Sequence, residues 1–105
     1  MSSAASALLR ALVLRAGVPR DRILLTEWRS TDWQSLTFVG ERHQIGLRIW
    51  GPDAVHACAQ LANGLSDAEF ALPGQIVADI TVMGEPEPSS DGSLTLGIEA
   101  LTIAE

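Results

Sequence analysis

Two stretches of this chain place apolar residues at helical spacing, and the runs that follow each of them read as strands. Leu8, Leu9, Leu12, Val13 and Ala16 recur every three or four residues, as do Ala54, Val55, Cys58, Leu61, Ala62 and Leu65. Such spacing gathers side chains into one stripe of a helix. The first helix is expected over about 3–16, closed by Gly17 in a left-handed conformation and by Pro19, which cannot continue it. Met1 to Gly17 has two arginines, three serines and no acid, a composition shared with transit peptides. The apolar periodicity favours a helix of the fold.

The strands are expected from β-branched and alternating residues. Ile23 to Trp28 reads as one strand, and Ser30-Thr31-Asp32 as turn chemistry. Leu36 and Phe38 alternate, as do Ile45, Leu47 and Ile49, with Gly40-Glu41-Arg42-His43 as the tip between them. That hairpin would pair Phe38 with Ile45 and Leu36 with Leu47. After the second helix, Ile76 to Met83 and Ser93 to Ile103 form a last hairpin around the acidic loop Gly84 to Gly92. Setting Val82 opposite Leu94 puts Ile80–Leu96, Ala78–Ile98 and Ile76–Ala100 on one face. Leu101 and Ile103 fall on the other parity, which calls for a bulge nearby. The expectation is one α+β domain over 1–105, in the order α-β-β-β-α-β-β. Two helices pack on one face of an antiparallel sheet.

Charge divides the chain. All seven bases are arginines: Arg10, Arg15, Arg20, Arg22, Arg29, Arg42 and Arg48. Residues 1–50 set these seven against four acids, and residues 51–105 hold nine acids and no base, giving the net charge of −6. Without lysine there is no Schiff base and no phosphate-loop lysine. The net negative charge speaks against a nucleic-acid-binding surface as the main feature. The order α-β-β-β-α of the first half is that of a double-stranded RNA-binding domain, but Gly51-Pro52-Asp53 brings no base to the start of the second helix. The single Cys58 excludes an internal disulfide. No apolar run is long enough for a membrane span.

Candidate chemistry is sparse. His56 and Cys58 stand two apart, so on a helix they point away from each other and cannot grip one metal ion. Glu41, Arg42 and His43 fall at the expected hairpin tip, where a solvated turn or a subunit contact fits better than catalysis. The expected registers place Trp28, Ser35 and Arg48 in one row on the face away from the helices, flanked by Trp33 and Trp50. An arginine over an indole is a favourable pair, and such a cluster resembles an interface hot spot. A small protein- or anion-binding module on this Trp/Arg face is therefore one reading. No catalytic residue, cofactor or metal is expected.

A second reading comes from a resemblance. The run Thr31 to Trp50, with Trp33, Gly40-Glu41-Arg42-His43 and Trp50 its firmest positions, resembles the small tail-completion proteins of long-tailed phages, prophages and gene transfer agents. The helix Ala54 to Leu65 and the Leu72-Pro73-Gly74 lead into the next strand fit the same pattern. The resemblance implies a structural protein that forms a ring, commonly hexameric, at the head-proximal end of the tail. It would assemble in the bacterial cytoplasm and remain in the virion tail. Its partners would be further copies of itself, the tail tube protein and the head connector, with DNA passing through unbound. A ring needs two complementary patches per subunit. Trp28, Trp33, Arg42, His43, Arg48 and Trp50 are the candidates for one, and Asp79, Glu85, Glu87, Asp91 and Glu99 for an acidic lumen or the complementary face.

Overall fold

In a computed structural model that describes residues 1–105, helix α1 (Ser3–Ala16) leads through a 3₁₀ turn at Arg20–Arg22 into strands β1 (Ile23–Gln34) and β2 (Val39–Ile49). Helix α2 (Ala54–Ala62) and a second 3₁₀ turn (Leu65–Asp67) precede β3 (Gln75–Pro88) and β4 (Leu94–Ala104). The four strands make one antiparallel sheet in the order β1-β2-β4-β3. The α+β class is as expected, with both helices packed against the sheet. No helix is long and apolar enough to cross a membrane.

Each helix forms for local reasons. Ser2 caps α1 by accepting from the Ala5 N–H, and Gly17, at φ 71°, closes it by donating to the Leu14 carbonyl. The C-terminal end of α2 is covered from α1, where Arg15 donates to the carbonyls of Leu61 (2.9 Å) and Asn63 (2.6 Å). Between helices and sheet lie Leu8, Leu12 and Ala16 of α1, and Cys58 and Leu61 of α2. They meet Ile45, Leu47 and Ile49 of β2, Leu96, Ile98 and Ala100 of β4, and Ile80 of β3, all buried.

The first half holds two long strands where three short ones were expected. Gly40-Glu41-Arg42-His43 is no tip; it runs inside β2. The turn is Ser35–Phe38, closed by the Ser35 N–H on the Phe38 carbonyl (2.9 Å) and by the Ser35 hydroxyl accepting from the Phe38 N–H (3.1 Å). Ile45 pairs with Trp28, and Phe38 belongs to the turn. A continuous ladder gives partners to backbone groups that a loop at 40–43 would leave open. In the second hairpin β3 continues to Pro88, so Val82 faces Ile98 and not Leu94. The slip is four residues, an even number, so the expected inward residues keep their face apart from Ile76 and Ala78, which are exposed. Ile76 leaves that face because β3 shifts register between Val77 and Asp79, opposite Thr102 and Leu101. This supplies the bulge that the parity of Leu101 called for.

Core and surface make a matched pair of tests on α1. Leu8 is fully buried and Leu14 is 81% exposed. Leu8→Ala should cost about 2–5 kcal/mol, read as a lowered urea midpoint at constant slope. Leu14→Ala should stay within about 0.5 kcal/mol.

Candidate functional site

Strict alternation along β1 would send Ile23 and Leu25 inward and Trp28 outward. The structure inserts one residue. Register shifts between Leu25, opposite Leu47, and Glu27, opposite Gly46, leaving Thr26 as the extra residue of a bulge. A Cβ on Gly46 would stand 2.6 Å from the Thr26 hydroxyl oxygen, so only glycine leaves room for it. Beyond the bulge the parity is reversed. Trp28 therefore packs against the core, and Trp28 and Arg48 lie on opposite faces. The expected Trp28–Ser35–Arg48 row does not exist, and Ser35 is part of the turn.

The reversal brings Trp28 and Ser30 to His43, which is fully buried and not at a tip. The indole N–H of Trp28 is shared between Ser30 Oγ (2.9 Å) and His43 Nδ1 (3.3 Å), with the two rings edge to face at 5.6 Å. Ser30 Oγ lies 2.7 Å from Nδ1, and Thr102 Oγ1 lies 2.9 Å from Nε2. A neutral imidazole with its proton on Nε2 satisfies this arrangement: Nδ1 accepts and Nε2 donates to Thr102. Thr102 in turn reaches the Glu41 carbonyl at 3.5 Å, and Ser2 donates to the Glu41 carboxylate at 2.7 Å. The relay ties β1, β2, β4 and the start of α1 together. Nε2 meets a hydroxyl and not a carboxylate, and none of the three principal surface cavities is lined by Ser30 or His43.

Arg42 and Arg48 are bound within the chain. Arg42 meets Glu99 at 3.1 Å across β2 and β4. Arg48 meets Asp91 at 2.6 Å and donates to Ser93 Oγ at 2.8 Å. The other Asp91 oxygen accepts from the Ser93 hydroxyl (2.7 Å) and backbone N–H (3.0 Å). These Ser93 bonds first, and Arg48 after them, hold the Asp91 carboxyl below its ordinary range. Two residues expected at a subunit interface thus pair with two expected on a complementary acidic face. The register also puts Asp79, Glu87 and Glu99 on the same outer sheet face as Arg42 and Arg48. Opposite charges share one face instead of occupying two.

The other candidates lie apart. Trp33 stands opposite Gly40 beside the turn of the first hairpin and is half-buried. Trp50 is half-buried at the far end of β2, its N–H on the Arg22 carbonyl at 3.1 Å. Cys58 is in the core, where burial raises its thiol pKa, and His56 is exposed. Ser30, Thr102 and Ser93 were not singled out in the sequence. They are ordinary strand and turn residues whose roles follow from the bulge and the registers. No protein-family model matches the chain, and no match to it was found among curated proteins or solved structures.

Burial lowers the His43 pKa below 6.5, with the charge of Glu41 opposing. Well above pH 6.5 the imidazole is neutral in folded and unfolded chain alike. Below it the unfolded chain binds a proton that the folded one refuses, so stability falls with pH until the folded pKa is reached. Urea unfolding between pH 7.5 and 5 should show this loss, and His43→Gln should remove its share. Equal slopes in both proteins would contradict the assignment.

Proposed function

We propose that this protein is a structural subunit of a phage-type tail, a tail-completion or terminator protein that forms a ring at the head-proximal end. The resemblance of Thr31 to Trp50, of the α2 sequence and of the Leu72-Pro73-Gly74 lead motivates this reading. The observation that carries it is the charge left over after internal pairing. Arg10, Arg20 and Arg22 have no carboxylate within ion-pair distance, and Asp79, Glu85 and Glu87 have no guanidinium within it. These arginines belong to α1 and the 3₁₀ turn after it, where Asp21 stands between two of them; these three acids belong to edge strand β3. Two separate patches of opposite sign suit a head-to-tail contact, which closes into a ring when the rotation allows.

In this reading the partners are further copies of the chain, the tail tube protein and the head connector. Carboxylates that face the lumen repel DNA phosphates, so the genome passes without binding. The subunit acts by position and carries out no catalysis. The alternative, a binding module on a Trp/Arg face, draws less support because Trp28 and Arg48 are on opposite sides of the sheet.

Negative-stain electron microscopy of purified tail tubes mixed with the protein is the test. Rings capping one end of the tubes are expected, with weaker capping at high salt because exposed charges are screened. Bare tube ends at saturating protein would refute the proposal.

A further inference from the structure

A groove of about 500 Å³ runs along the solvent side of α1. Met1, Leu9, Val13, Leu14 and Val18 line it, and Arg10 and Arg20 stand at its borders. Leu14 and Met1 are 81% and 69% exposed, and neither arginine has an acidic partner. The groove is an apolar strip with two free cations.

Its complement lies elsewhere on the same chain. On β3 the register passes from Met83 opposite Gly97 to Glu87 opposite Thr95, so Gly84, Glu85 and Pro86 face the single residue Leu96. Gly84 makes the turn with φ 72°. This edge strand therefore bulges, and its bulge carries Glu85 and Glu87 unpaired beside Met83, which is 51% exposed. Pro86 and Pro88 have no N–H, so the segment is poorly suited to strand addition and must dock through side chains. Apolar groups and two carboxylates alternate along it, matching apolar lining and two guanidiniums in the groove.

We infer that the Met83–Pro88 bulge of one copy docks in the α1 groove of a second copy. Glu85 and Glu87 meet Arg10 and Arg20 there, and Met83 and Pro86 cover Leu14 and Val13. The two patches share no residue, so each bound copy leaves one of each kind free, as a head-to-tail contact requires. The inference rests on the ring reading and names the surfaces that would make the ring.

Disulfide trapping tests it. The variant carrying both Leu14→Cys and Pro86→Cys should give a ladder of dimers and higher species on oxidation. Each single variant should give at most a dimer. Adding Arg10→Glu and Arg20→Glu should slow ladder formation about tenfold, and adding Glu85→Arg and Glu87→Arg as well should restore it. Circular dichroism checks that the exposed-site variants stay folded. If the fully reversed chain fails to fold, mixing L14C chains carrying R10E and R20E with P86C chains carrying E85R and E87R gives the same comparison. Absence of a ladder, or a ladder indifferent to charge reversal, overturns the inference. Rings on tail tubes without a ladder would sink this contact and leave the ring standing. A charge-dependent ladder without rings would do the opposite.

Discussion

One extra residue in an edge strand decides what the inner face of this sheet contains. β1 packs Ile23 and Leu25 against the core and then, because Thr26 is bulged, packs Trp28 there as well and sets Ser30 on the same face opposite His43. Without the bulge Trp28 would face solvent and His43 Nδ1 would be buried with no partner. An unsatisfied buried polar group costs about 1–3 kcal/mol. Gly46 in turn accommodates the bulge, since it has no side chain where the Thr26 hydroxyl sits. Gly46, Thr26, Trp28, Ser30 and His43 are thus one device, spread over two strands. Thr102 joins it to β4, and Ser2, through Glu41, joins it to α1.

This device explains which parts of the fold were legible in the sequence. Helical spacing located α1 and α2, and Gly17 marked the end of α1, because an amphipathic stripe and a left-handed glycine are local properties. Alternation identified the inner residues of β2 and β4 even though the assumed register of β3 on β4 was off by four, since parity survives an even slip. Bulges leave no comparable local signal. Thr26 resembles any strand threonine, and its role is set by Gly46 across the ladder. The turn was misplaced for a related reason: Gly40-Glu41-Arg42-His43 has turn composition, but His43 gains two hydrogen-bond partners only when the segment is extended.

Charge teaches a similar lesson. Separation along the chain is not separation in space when strand order brings the halves together. β2 and β4 are neighbours, so Arg42 lies beside Glu99, and Arg48 reaches Asp91 at the next turn. The Arg42–Glu99 pair is partly exposed, with 41% and 26% of the two side chains accessible. A pair so placed contributes within about 1 kcal/mol. Arg48 instead pins the β3–β4 turn through Ser93, which is fully buried. These contacts fix register more than they add stability.

What can act between molecules is the charge that the fold has not already used. Internal pairing removes the central arginines of the sheet and two of the acids of the second half. Arg10, Arg20 and Arg22 remain unpaired on α1 and its exit, with Asp21 among them, and Asp79, Glu85 and Glu87 on β3, with no ion pair between the two sets. Polarity survives folding, but on different residues from those that the bare sequence suggested. An assembly held by these groups depends on salt and on the intact bulge of β3, whereas the relay around His43 contributes to the stability of the subunit. In the proposed ring, assembly and stability are therefore separable, because the first draws on edge and helix surfaces and the second on the bulged inner face of the sheet.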